Sequence, residues 1–418
     1  MTPLKKQLVG TTMLTPNAFI VRDPITIGTI ILGSVGVTAT VGASAIIFGY
    51  TAFQIGAYIV GSIAISLVTS WAVRALSPSP SMPSMQDAAA MNSRGILTNA
   101  KEPTATHQYV YGQVRKGGTI TYLEATGSNN KYLHMIIALA GHEVSEITSI
   151  YVNDEIVALD ASGFVTSAPW SSKIRIKKHL GTSSQLVDTD LQIESNQIDA
   201  EFQGKGIAYL YVRLEYDQDV FANGIPMFTA IIKGKKVYDP RTGLTAYSNN
   251  AALCIRDYLL SDYGMNDTSV NDTSFIASAN ICDENVTLDG GGTEKRYAMN
   301  GLITGTETIG SVLQLMMTSC AGTLFWGQGT WQLKVGYYTP AVKTFTLDDL
   351  RGPISLQTRT NLRDNYNAVN GTFNDAEQGY ITADFPQVKS AVFLAEDDDV
   401  LTALDMPMPF TTSSPTAQ

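Results

Sequence analysis

Charged side chains are missing from residues 25–73 altogether: Arg22 and Asp23 precede the run and Arg74 closes it. A run of that length is too apolar for a wet surface. It also starts too late and runs too long for the short apolar region of a signal peptide. Charge is scarce elsewhere too, at 16% of all residues against the usual quarter or so. The chain lacks a basic surplus, with 28 Lys and Arg against 38 Asp and Glu and a net charge of −10. That balance argues against a nucleic-acid binder, which shows a basic face. Cysteine is nearly absent. Cys254, Cys282 and Cys320 are far apart with no C-x-x-C, which argues against a disulfide framework or a zinc site and reads as buried small hydrophobes.

What is present begins with that apolar run. A helical pass through a bilayer takes about 20 apolar residues, so the stretch has room for two. Small residues recur in it, among them Gly28, Gly33, Gly42, Gly49 and Gly56, and Gly-rich apolar helices pack closely. The segment FGYTAFQ at 48–54 is its most polar point. The pattern predicts helices over about 26–47 and 53–76, folded as a hairpin. A membrane hairpin and a plug buried inside a protein channel are both compatible with it, because either is apolar all round. Pro78, Pro80 and Pro83 then alternate with Ser and Met. The stretch 77–95 reads as an extended linker.

Period-two alternation follows. It predicts strands at 107–114 and 118–125 with a hairpin turn at Gly117-Gly118, then strands at 131–140, 145–153 and 155–158 with a tight turn at Asn153-Asp154. The runs IRIKKHLG, IAYLYVRLEYD and MFTAIIKGKKVYD continue as strands around a loop with a short helix. This is the pattern of a β-barrel or sandwich carrying an insertion. From Tyr247 the period turns helical. One helix starts at Ser248 or Asn249 and stops at Gly264. A second is capped by Asp272 or Thr273. A third is capped by Thr306, with Ile309, Leu313, Met316 and Met317 inward. A strand hairpin turns on Gly327-Gln328-Gly329. β structure returns with ISLQTRT and NAVNGTFND.

Residues with chemistry are few. His134 and His142, the latter followed by Glu143, invite a metal reading, but a hydrogen-bonded turn histidine fits the sequence better. His107 and His179 stand alone. Glu396, Asp397, Asp398 and Asp399 lack the spacing of a calcium loop and read as a solvated turn. FQGKGIAYL has a G-x-G without the third Gly or the βαβ setting of a phosphate loop. The sequons at Asn266, Asn271, Asn285 and Asn370 are loop chemistry. No catalytic constellation is found, so no enzyme is expected, nor any catalytic, cofactor or metal residue.

The blocks AYSNNAALCIRDYLLSDYGM, LDGGGTEKRYAMNGLITG, SVLQLMMTSCAGTLFWGQGTWQLKVG and LRDNYNAVNGTF, in that order over Ala246–Thr372, resemble the J-type tail-tip host-specificity proteins of lambda-like long-tailed phages. ILTNAKEPTATHQYVYGQVRKGGTITYLEATG resembles the small I-type tail-assembly proteins of the same phages, which also carry a Gly/Ala-rich apolar hairpin just before this motif. The ending LDMPMPFTTSSPTAQ resembles the start of the next J-type segment, so a longer protein is expected. The resemblance implies a mainly β chain with α+β character: tail-tube-type hub β-barrels plus an inserted α+β domain, preceded by the apolar hairpin. The divisions would be an arm at 1–25, the hairpin at 26–76, a linker at 77–103, the hub barrel with its insertion at 104–245, the α+β domain at 246–340, and a β segment at 341–418. It further implies a baseplate hub in the virion. Such a hub is a homotrimer that closes the tail tube and gates DNA ejection. Its neighbours are a distal tail protein, a tape-measure protein and a central tail fibre, and DNA passes through its lumen without specific binding. Residues 26–76 would meet a host membrane during infection. The competing reading from the residues alone is a membrane-anchored, β-rich surface protein with 26–76 as its anchor.

Overall fold

The structure, a computed structural model, describes residues 46–47, 50–51, 97–101, 105–261, 264–349, 351–352 and 365–418. The chain divides into two compact units, Met1–Met82 and Pro83–Gln418. In the first, β1 (Ile46–Ile47) pairs antiparallel with β2 (Tyr50–Thr51). The reversal falls at the polar middle of the apolar run. The rest of both expected helices, and the linker 77–95, lie outside the described residues. Among the described residues no helix is long and apolar enough to cross a membrane.

The second unit is mainly β and opens with β3 (Gln108–Tyr111), β4 (Gln113–Lys116), β5 (Thr119–Thr126), β6 (Tyr132–Ala140), β7 (Glu146–Val152) and β8 (Glu155–Val157). There follow β9 (Ile174–His179), α1 (Thr189–Glu194), β10 (Ala208–Glu215) and β11 (Phe228–Lys233). They form two four-stranded sheets, β5-β6-β10-β9 and β4-β11-β7-β8. One core fills the space between them, with Ile137, Leu139, Ile176 and Val212 from the first and Val114, Ile150, Phe228 and Ile232 from the second.

Among the described residues there is no closed barrel, which corrects the expected barrel. Two glycines account for the local breaks. The expected strand 107–114 breaks at Gly112, where φ is +64° and a Cβ would meet the Met299 carbonyl oxygen at 2.0 Å. Before the break β3 pairs with β16 (Gly301–Thr304), and beyond it β4 pairs with β11. Likewise Gly117-Gly118 is a corner between sheets and not a hairpin turn, since β5 pairs with β6. A Cβ on Gly118 would lie 2.5 Å from the Ala138 carbonyl oxygen. The Asn153-Asp154 turn is where alternation places it, both residues at positive φ, joining β7 to β8.

The next elements are β12 (Lys236–Asp239), β13 (Leu244–Tyr247), α2 (Ala251–Leu260), α3 (Asp272–Cys282), β14 (Asn285–Thr287) and β15 (Thr293–Lys295). After β16 come α4 (Ile309–Thr318), β17 (Thr323–Gly327) and β18 (Thr330–Lys334). The caps are Asn250, Asn271 and Thr308, each one or two residues from the expected position. α2 ends at Ser261 and not at Gly264. Asn250 serves twice: its side-chain oxygen accepts from the Ala252 and Leu253 amides, and its Nδ2 donates to the Ala279 carbonyl of α3. The helices and the β17–β18 hairpin share a second core, which also takes Tyr111 from β3 and Phe410. Cys254, Cys282 and Cys320 are free and buried in it; burial pushes the Cys282 thiol up to about 12.

The last elements are β19 (Ala368–Asp375), β20 (Ile381–Asp384), β21 (Val388–Lys389), α5 (Ala391–Glu396), β22 (Ala403–Met408) and α6 (Ser414–Ala417). β19 is the central strand, antiparallel to β20 and β21 on one side and parallel to β22 on the other. ISLQTRT lies outside the described residues.

Candidate assembly surface

The histidines singled out from the sequence do not come together. His134 is fully buried on β6. One ring nitrogen bonds Thr126 Oγ1 at 2.7 Å and the other Tyr211 Oη at 2.9 Å. His142 follows the end of β6. Its Nε2 accepts the Val110 amide at 2.9 Å, so the ring proton sits on Nδ1, which donates to the Glu143 carbonyl at 2.7 Å. Burial drives the His142 ring down to about 4. It is a hydrogen-bonded turn histidine. Among the described residues no group of three or more His, Cys, Asp or Glu side chains could hold a metal ion. His107 packs against Gly141.

Around His134 lies a charged network that sequence reasoning missed. Glu194, the last residue of α1, accepts from Arg175 on β9 at 2.6 Å and from Arg213 on β10 at 3.0 Å, and Tyr211 donates to it at 3.2 Å. Asp188 caps α1 through the Leu191 amide and bonds the His179 ring at 2.9 Å, while His179 stacks on Tyr209 at 4.4 Å. Burial raises the Asp188 carboxyl, and the bonds from His179 and the Leu191 amide outweigh it, leaving the group below its ordinary value. The network fixes the insertion to the outer face of its sheet. The only sequence signal for it was the alternation within each strand, which sets Arg175 and His179, Tyr211 and Arg213, or His134 and Ile136, on a shared face without saying which strands pair.

Glu396–Asp399 forms the end of α5 and an exposed turn, with Asp398 and Asp399 at positive φ and Asp397 accepting from Asn367 Nδ2 at 2.9 Å. The glycines of FQGKGIAYL make a turn whose carbonyls hold the Gln185 amide. Asn271 is the cap of α3.

The surface that stands out is C-terminal. α5 has no buried residue, and Val392 and Phe393 are 65% and 55% exposed. Val400 and Leu401 in the segment that follows it, and Leu404 and Met406 on β22, are exposed as well. Among the described residues β22 has a ladder partner only in β19, and its other edge is open among them. A helix of two turns with nothing buried has little reason to form alone. Clustered exposed apolar residues next to an open strand edge mark an interaction face. Tyr338, Val342 and Phe345 add exposed apolar side chains in the segment after β18.

No family model matches the chain, and no curated protein matches it. Among solved structures, it is similar to a chain of the "Virion of native gene transfer agent (GTA) particle", at 14% identity and a TM-score of 0.48, over 77% of this chain and 72% of that one.

Proposed function

We propose that this chain is a structural virion protein, the central hub of a long-tailed phage tail tip. The observation that carries the reading is the ordered run of J-type blocks from Ala246 to Thr372. Much of that run folds around one shared core: its first three blocks supply α2, β16, α4 and the β17–β18 hairpin. The C-terminal face supports it, since α5 and the open edge of β22 suit a chain whose folding is completed by neighbours in an assembly. In this reading three copies close the tail tube below a distal tail protein and above a central fibre, gate DNA ejection, and carry no catalytic activity.

The test is an electron cryo-microscopy reconstruction of the intact particle. Three copies around the tail axis are expected, with the C-terminal face covered. A single copy, or a six-copy ring, overturns the reading. The second reading, a β-rich surface protein anchored through 26–76, is favoured by the uncharged run alone. It requires the chain to sediment with cell membranes and to be missing from purified particles.

A further inference from the structure

At the corner where the chain passes from one sheet to the other lies a cavity of about 450 Å³, with Lys101, His107, Lys116, Thr119 and Thr121 in its wall. Among the described residues no carboxylate lines it, although acidic residues outnumber basic ones 38 to 28 in the chain. Lys116 is 2% exposed. Its Nζ donates to the Leu139 carbonyl oxygen, its one hydrogen-bond partner among the described residues. Among the described residues no acid pairs with it. An ammonium has three donors and needs either water or a counter-charge when buried. Burial alone lowers Lys116 to about 7, so near neutral pH the amine gains or loses its proton readily.

The wall is firmly built. The Ile120 amide bonds the Ala100 carbonyl at 2.8 Å. The Asn99 side chain accepts from the Phe228 amide at 2.6 Å and donates to the Phe228 carbonyl at 2.9 Å. Residues 99–101 are thereby held along the start of β5 and the neighbouring β11.

We propose that this cavity is a binding site for a carboxylate, which completes the unpaired ammonium of Lys116, with Lys101 adding charge at the wall. A single buried ammonium in a wall that mixes alanine, leucine and isoleucine with neutral threonine and glutamine side chains matches one negative charge on a partly apolar body better than a multiply charged phosphate. The carboxylate has two sources, a free short-chain acid or an acidic group on a protein segment. The site goes beyond the tail-tip reading and does not depend on it.

The experiment uses the full chain. Acylation of Lys116 by acetic anhydride, followed by mass spectrometry across pH, reports the protonation midpoint of its amine. The midpoint is expected near 7 alone and at least one unit higher with saturating butyrate, with butyramide causing no change. Calorimetry should detect butyrate binding, lost in Lys116→Met. If a peptide with a free C-terminal carboxylate shifts the midpoint and butyrate does not, the source is a protein segment and the site stands. If neither acid shifts it, or butyramide acts like butyrate, the proposal fails. It also fails if Glu102→Gln, which removes the acid next to Lys101 in the sequence, alone lowers the midpoint, since the chain's own acid would then supply the charge.

Discussion

Two buried bases make stability rise with pH at the scale of single residues, each in its own window. His142 must remain neutral, because a proton on Nε2 would face the Val110 amide that it now accepts. Its folded value, about 4, lies below the ordinary histidine value of roughly 6.5. The unfolded chain therefore takes up the proton first as pH falls. Stability is full above about 6.5 and declines toward 4, by about 3 kcal/mol when complete. Denaturant unfolding at pH 7 and pH 4 should show that loss, and His142→Gln, which keeps an acceptor, should reduce it. Lys116 acts in the same direction in a higher window. Below its folded value of about 7 both states carry the proton and the burial cost is fully present. Between 7 and the ordinary 10.5 the folded chain releases its proton first, so stability rises with pH. Lys116→Met should therefore stabilise the fold at pH 6–7, by roughly 1–3 kcal/mol, read as a raised unfolding midpoint. A neutral or destabilising result would show that the ammonium has a counter-charge.

At the scale of elements, α4 shows what alternation and capping signals can and cannot reveal. The expected inward face was Ile309, Leu313, Met316 and Met317. The buried residues are Val312, Leu315 and Met316, Ile309 is 45% exposed, and Leu313 and Met317 are only partly buried at the edge of the core. Two threonines competed for the cap. Thr306 is held by Thr304, which also donates to Glu307, so Thr308 caps instead and accepts from the Ser311 amide. Starting the helix two residues later leaves Ile309 at the exposed first turn. Leu315→Ala should cost about 2–5 kcal/mol if the site cannot collapse, whereas Ile309→Ala should change stability by at most about 0.5 kcal/mol. Equal effects in denaturant titrations would show the face to be misplaced again.

Strand positions were far more legible, because a run such as AYLYVRLE reads as β whatever it pairs with. Pairing was not. Nothing in GQVRKGGTIT says that Gly117-Gly118 is a corner, since the decisive contact is a Gly118 backbone closing on Ala138, twenty residues along. The same holds for the Glu194 network and for the cavity at Lys116. Both join residues that sit far apart in sequence and carry no spacing signature.

On the scale of the whole molecule the long uncharged run makes the sharpest demand. Residues 25–73 contain no charged side chain, and leaving such a stretch in water costs about 25 cal/mol for every Å² of apolar surface. A virion contains no bilayer under the tail-tip reading, so the run must be covered by protein there. Three copies would bring three such runs to one axis, where their glycines and alanines permit close packing. On that reading the run would close the tube before infection and, once released, would meet the lipid of the host with the same apolar faces. Deleting 26–76 tests both roles. Tails should form with an open lumen and fail to hold or deliver DNA. Deletion tails that retain their DNA and infect normally would remove both roles and leave the run as a folding aid. Ile59→Asp separates the two: assembly with blocked DNA entry supports the lipid step, and failure to assemble supports the closure role alone.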